Sequence, residues 1–221
     1  MREMGRGGLM RKAFILLALA FVIGAEGGTA PAAEAAGGTA AEELRARQKD
    51  MKTVRASFTQ EKRSPLLKKP LRTKGAFYFK APLNVRWQYE KTVTVIYDGT
   101  ELYIYYPELG EAERMKGISE FYTGPLGFDI ANLEKDYDME AKGENGAIRV
   151  KLTPKRRLPF AGMELLFPEG AAFPSEMKII DRTGDETFIR FTDVSVNTGL
   201  SDELFKFVPP PGVRIKERTA P

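Results

Sequence analysis

The stretch NVRWQYEKTVTVIYDGTELYIYYP, residues 84–107, sets the architecture. Val85, Trp87 and Tyr89 fall on one side of an extended chain, and Asn84, Arg86, Gln88 and Glu90 on the other, the period-two pattern of a half-buried strand. Two more apolar runs, residues 93–97 and 101–106, flank Asp98-Gly99-Thr100. An Asp-Gly pair between such runs is a strong hairpin signal, because glycine takes the positive φ that a tight turn demands. Three strands joined this closely make an antiparallel meander.

The same period extends in both directions. Upstream, Val54, Ala56 and Phe58 alternate with Arg55, Ser57 and Thr59, and KGAFYFKAP, residues 74–82, gives a further strand that Pro82 ends. Ahead of these, AAEELRARQKDM places Ala40, Leu44 and Met51 near one face and predicts an amphipathic helix over 40–52. Downstream, Gly110, Gly117, Gly124, Pro125 and Gly127 punctuate a region where two short helices are expected, 118–122 and 129–135. Strand patterns resume at 137–142, 147–153, 162–167, 175–181 and 187–196. SDELF, 201–205, reads as one helical turn capped by Ser201, and KFVPPPGV as extended chain. About ten strands in meander order predict a mainly antiparallel β fold (α+β). A sheet of that size curls because its strands twist, so it should form a curved, incomplete β-barrel with short helices as a lid over the concave face.

At 221 residues the chain could form one large or two small domains. No repeat or Pro/Ser-rich linker divides it, so one domain is expected over 36–221. Residues 1–35 read as a cleaved signal peptide. Arg2, Arg6, Arg11 and Lys12 precede an apolar run, 13–23, far shorter than the roughly 20 residues a membrane-spanning helix needs. Ala33-Glu34-Ala35 is the best cleavage site; Gly28-Thr29-Ala30 is poorer because Pro31 follows. Export implies a periplasmic location, where the absence of cysteine excludes disulfides and an N-terminal lipid anchor and leaves a freely soluble product. Without residues 1–35, which hold four basic and three acidic groups, the totals of 34 and 30 become 30 and 27, a net +3. That mild excess favours anionic headgroups weakly and does not point to nucleic acid.

With neither histidine nor cysteine, His- or Cys-based triads and His/Cys metal sites are excluded. No phosphate loop or dinucleotide fingerprint is present, so no cofactor is expected. Ser175-Glu176-Met177-Lys178 has the S-x-x-K spacing of serine acylases. It follows Pro174 into a strand, however, where positions i and i+3 face opposite sides and cannot share a proton. A hydrolase is the alternative from another class, and it predicts turnover that Ser175→Ala or Asp138→Asn abolishes. Asp136, Asp138 and Glu140 alternate with Tyr137 and Met139 and read as a solvated strand face rather than a metal or glycosidase site. Basic residues cluster at KKPLRTK, 68–74, and KRR, 155–157. These are either solvated loops or docking points for a membrane or a membrane protein.

Four segments in order, VRASFTQEK (54–62), KGAFYFKAPLNVRWQY (74–89), VIYDGTELYIYYP (95–107) and ELFKFVPPPGVRI (203–215), together resemble the LolA family of periplasmic outer-membrane lipoprotein carrier proteins. The resemblance implies an unclosed antiparallel barrel whose helices lid an apolar cavity, and a non-enzymatic chaperone rather than a catalyst. It implies acylated lipoproteins as cargo, an inner-membrane ABC lipoprotein-releasing transporter as donor and an outer-membrane acceptor as recipient, with the carrier a monomer. The acceptor branch of the superfamily is anchored through a lipidated cysteine, which this chain lacks, and the related envelope-stress regulators carry a second domain for which it is too short. One departure stands out. Family carriers have an arginine before the proline of the FKAP-like segment, where it holds the lid helices, and here that position is Ala81. The latch must therefore differ; Arg86 lies nearby but not at the family position. The departure keeps a second reading open, a carrier of another lipid or glycolipid.

The resemblance also gives the apolar alternation a purpose. Exposing an acyl chain costs about 0.8 kcal/mol per methylene, so a chain of roughly 16 carbons needs shielding worth on the order of 12 kcal/mol. The candidate lining is Phe58, Val85, Trp87, Leu102, Ile104 and Tyr106, with Phe77, Phe79, Val95, Met163 and Leu165 behind. An ordinary packed core has the same period, so the residues alone leave core and cavity both open, and the resemblance favours a cavity for the set as a whole. Alternation leaves either Phe77 and Phe79 or Tyr78 facing inward.

Overall fold

A computed structural model describes residues 38–116, 130–158 and 160–219. The chain enters through helix α1 (Gly38–Gln48) and runs through β1 (Thr53–Arg63), β2 (Leu71–Lys80), β3 (Asn84–Tyr89), β4 (Val93–Asp98), β5 (Glu101–Tyr106) and β6 (Glu111–Lys116). Helix α2 (Ile130–Asp136) then leads to β7 (Tyr137–Glu144), β8 (Ala147–Pro154), β9 (Phe160–Phe167), β10 (Glu176–Asp181), β11 (Glu186–Val196) and β12 (Arg214–Thr219). All twelve strands form one unclosed sheet in the order β12-β6-β5-β4-β3-β2-β1-β11-β10-β9-β8-β7. Two meanders thus meet where β1 pairs with β11, with Phe58 opposite Phe191. Only β12, parallel to β6, departs from the antiparallel pattern. No described helix is long and apolar enough to cross a membrane. The expected signal peptide and the expected helix at 118–122 lie outside the described residues.

The turn after β4 forms for the expected reason. Asp98 Oδ1 accepts from the Thr100 amide (2.9 Å), the Thr100 hydroxyl (2.7 Å) and the Glu101 amide (2.8 Å), while Gly99 sits at φ 91°. Closer to the sheet centre, a Cβ at Gly75 would overlap the Gln88 carbonyl and stand 2.9 Å from the Phe58 ring, so glycine makes room there for an aromatic side chain. One extra residue interrupts the β1–β11 register beside Arg55, with Asp193 at φ 52°. A bulge of this kind bends its strand and increases twist. Curling is visible in the ring contacts. Trp87 on β3 and Phe191 on β11 are three strands apart, about 14 Å in a flat sheet, yet their ring centroids are 5.8 Å apart.

Two strands exceed the ten expected, and both are highly charged. On β6, Glu111 pairs with Arg214 (3.0 Å) and Lys216 (3.1 Å), and the buried Glu113 pairs with Arg218 (3.3 Å), all three cations coming from β12. Arg114 reaches Glu217 of β12 at 2.7 Å. Helix α1 stops at Gln48, four residues before the expected end, and Met51 is buried beyond it. Asp136 closes α2 and bonds Arg156, so it does not share a strand face with the exposed Asp138 and Glu140; that expectation is corrected.

Not all the aromatic residues of 84–107 turn inward. Tyr103 and Tyr105 face the other side of the sheet, where Phe207 covers them at 5.2 and 5.5 Å. The turn Asp202–Phe205, capped by Ser201 as expected, packs across β3 and β4 on that side, and its Leu204 carbonyl accepts from Arg86 Nη1 at 3.1 Å.

At the C-terminal end of β1, Lys62 and Asp185 form an ion pair at 3.0 Å with side chains only 5% and 8% exposed. Burial alone would raise the Asp185 carboxyl, but hydrogen bonds from Ser64 and Lys62 and the lysine charge hold it below its ordinary value. Its contribution to stability is therefore present above the unfolded carboxylate value, near pH 4, and is lost as pH falls through the lower folded value. Lys62→Ala is expected to cost about 3 kcal/mol at pH 7, because an unpaired buried carboxylate remains. The gap should narrow below about pH 4, where that carboxyl is neutral, and urea melts at pH 7 and pH 3.5 check both signs.

Candidate functional site

The inner face of the sheet is apolar from β5 round to β7. Phe58, Phe77, Phe79, Val85, Trp87, Val95, Leu102, Ile104, Tyr106, Met163 and Leu165 are all buried in one continuous cluster there. The register resolves the ambiguity at 77–79: Phe77 and Phe79 stand opposite Trp87 and Val85 inside the cluster, and Tyr78 points away. At the centre the rings meet mostly edge to face, with Phe173 stacked on Phe77. Phe77 lies 4.7 Å and Phe58 5.0 Å from Trp87, and Phe173 and Phe191 close the group at 5.4 and 5.8 Å from Phe77. Such contacts are favourable, worth about 0.5–1.5 kcal/mol per pair beyond the area they bury.

Polar atoms on this face are few. The Trp87 indole Nε1 is buried with no hydrogen-bond partner among the described residues. Tyr89 donates its hydroxyl to Gln60 Oε1 at 3.1 Å, and burial raises its phenol above the ordinary value. Burial likewise raises Tyr106, with Glu113 adding to it, and Tyr137, with Asp136 adding to it.

The helices complete the face. Ala41 and Leu44 of α1 and Ile130 and Leu133 of α2 bury their side chains against the same cluster. What ties them down is polar. Gln48, at the end of α1, donates through Nε2 to the Ala172 carbonyl (3.0 Å) and accepts at Oε1 from the Ile130 amide (3.0 Å), joining α1, α2 and the β9–β10 loop. Arg47 donates to the Pro168 carbonyl at 3.0 Å, and Arg45 pairs with Glu134 of α2. Ala81 is exposed at the end of β2 and makes none of these contacts. The polar contacts that hold the helices therefore come from α1 itself.

Sequence reasoning missed part of this site. Phe191 and Ile189 alternate on β11 and could have been included on that signal. Phe173 lies in the β9–β10 loop, where no period marks it. Gln48 and Arg47 find partners more than 80 residues away.

The hydrolase candidates are not assembled. Ser175 donates to the Leu166 carbonyl, and Lys178 is paired with Glu186 at 2.6 Å. No cluster of three or more metal-ligating side chains occurs among the described residues. A groove of about 700 Å³ opens on the opposite face of the sheet, around Phe188, Arg63 and Lys178. It is rich in charge, with Glu61 bonding Arg63 and Arg72, and Glu176 bonding Arg190. It offers acyl chains no continuous apolar wall.

Residues 49–208 match the family described as outer membrane lipoprotein carrier protein LolA. An outer-membrane lipoprotein carrier protein of Dechloromonas aromatica is 29% identical over 180 residues, 76% of this chain and 82% of that one. The corresponding protein of Methylibium petroleiphilum is 27% identical over 189 residues, 83% and 92% of the two chains. In fold, a conserved uncharacterized protein from Thermus thermophilus superposes with a TM-score of 0.55 at 14% identity, covering 80% of this chain and 99% of its own.

Proposed function

Because the chain belongs to the family of LolA, the outer membrane lipoprotein carrier protein, we propose that it is a periplasmic carrier of lipoproteins. Its inner apolar face takes up their acyl chains. The observation that carries this reading is the pairing of one continuous apolar wall with helices held by a handful of polar contacts. Lifting α1 and α2 would expose the wall, and an acyl chain would then take the place of the helix side chains, so little apolar surface meets water at either stage.

In this closed state the rings fill the face. Binding requires them to separate, so part of the apolar gain offsets that opening and the cargo is held less tightly than in a preformed slot. A shuttle needs such a balance, because it must release what it collects. Delivery from an inner-membrane transporter to an outer-membrane acceptor by a monomer completes the proposal. No step in it makes or breaks a covalent bond.

The test is to recover the protein from the periplasm and identify what copurifies by mass spectrometry. Acylated lipoprotein bound in stoichiometric amount is expected. Free glycolipid or phospholipid with no acylated protein would reject the cargo class and leave a lipid carrier on the same fold.

A further inference from the structure

One end of the sheet carries the connections that follow β1, β3, β5, β8 and β10, the β5 connection bringing one exposed carboxylate, Glu108. The register puts residues 64–70, 90–92, 107–110, 155–158 and 182–185 there together. At this end Lys68, Lys69, Lys91 and Arg157 are exposed and make no ion pair among the described residues. Of the neighbouring charges, Arg63 and Arg72 lie on Glu61, Lys74 on Glu90, Lys62 on Asp185 and Arg156 on Asp136, while Lys155 and Arg182 bond backbone carbonyls and Asp181 accepts from the Thr183 amide. Uncompensated positive charge is thus gathered from three separate connections onto one end. The two basic clusters of the sequence, 68–74 and 155–157, both contribute to it.

The β1–β2 connection adds an apolar point. Leu66 is 93% exposed, more than any other large hydrophobic residue described. It does not sit on a slack loop. Ser64 accepts from the Leu66 amide through Oγ (3.3 Å) and from the Leu67 amide through its carbonyl (3.0 Å), and Pro65 and Pro70 bracket the turn. The turn therefore holds Leu66 outward beside two ammonium groups.

We propose that this end of the molecule docks reversibly on a membrane surface bearing anionic phospholipids. Leu66 enters the headgroup boundary, and Lys68, Lys69, Lys91 and Arg157 meet the phosphates. A bilayer suits the arrangement better than a protein pocket does. The cations come from connections several strands apart, which only an extended surface can reach at once, and the single leucine has no surrounding rim of side chains to exclude water. The proposal rests on the carrier reading for its purpose, since a shuttle must visit membranes, but not for its test.

The test is sedimentation of the protein, as recovered from the expressing cell, with vesicles of phosphatidylglycerol or of phosphatidylcholine alone. Wild type should partition onto the anionic vesicles at low salt and much less onto the neutral ones. Leu66→Ser should lower the partition coefficient about fivefold, and the double variant Lys68→Glu/Lys69→Glu about tenfold or more. Arg157→Glu, on a distant connection, should lower it severalfold. All of these positions are in solvent, so binding of a fatty-acid probe should not change, and any N-terminal segment is common to every variant. Leu66→Trp, in a chain whose one native tryptophan is buried, should show blue-shifted emission on anionic vesicles. Equal partitioning of wild type and variants, equal binding to both kinds of vesicle, or unshifted emission would each overturn docking. None of them would touch the carrier reading, which the copurification experiment decides.

Discussion

Trp87→Glu is expected to lower the affinity for a fluorescent fatty-acid analogue by at least about 30-fold at pH 7, roughly 2 kcal/mol. Trp87 stands at the centre of the inner face, in contact with Phe58, Phe77 and Phe191, and is 4% exposed. A carboxylate there has no cation within the apolar cluster, and an acyl chain laid over it removes its water without supplying a partner. The introduced carboxyl should consequently titrate well above its ordinary value. Acidification to about pH 5 neutralises much of it and should restore part of the binding, whereas wild type changes little over that range. Circular dichroism must show a retained sheet. Trp87→Phe supplies the folded control: it keeps a ring and loses the indole N–H, which has no partner to leave behind. Its affinity should stay within a few-fold of wild type. A glutamate variant that folds and binds the probe normally would remove this face as the acyl site.

What the sequence made legible follows from how each part is stabilised. The meander of β1 to β5 rests on apolar alternation and on the Asp98 turn, both local, and its elements appear where the pattern puts them. β6 and β12 were illegible because their partnership is ionic. In EAERMK and RIKERT nearly every side chain that matters is charged, and the cations on β12 find their carboxylates about 100 residues away. Period counting registers hydrophobicity, so a strand joined to the sheet by an ion-pair ladder looks like a loop. The same limit applied to Tyr103 and Tyr105. Alternation separated them from Leu102 and Ile104, but only the path of the C-terminal segment shows that Phe207 covers them. Of the apolar face, the strand-borne part was readable and the contacts of the helices were not. Ala81, where the resemblance implied an arginine, did not say which residues hold the helices.

On the proposed carrier reading, with the latch on α1, the other large effect has the opposite sign to the first: Gln48→Ala should tighten apparent probe binding about tenfold while lowering thermal stability. In the closed state Gln48 spans the Ile130 amide and the Ala172 carbonyl. Truncation leaves both groups short of a partner only while the lid is shut, at about 1–2 kcal/mol. Opening lets water satisfy them, so the substitution penalises the closed state selectively. Apparent affinity is the intrinsic affinity scaled by the open fraction, and a penalty of that size raises a small open fraction about five- to thirtyfold. Amide exchange at Ile130 should accelerate by a comparable factor. Gln48→Glu sharpens the argument. Ionised, it can accept from Ile130 but repels the Ala172 carbonyl, and the lid loosens; protonated, it donates to that carbonyl and the lid should close again. A binding curve that weakens toward acid in Gln48→Glu, but not in Gln48→Ala, would distinguish a latch from a merely stabilising contact. If Gln48→Ala lowers stability and leaves both affinity and exchange unchanged, these hydrogen bonds hold the helices without governing access to the face beneath them.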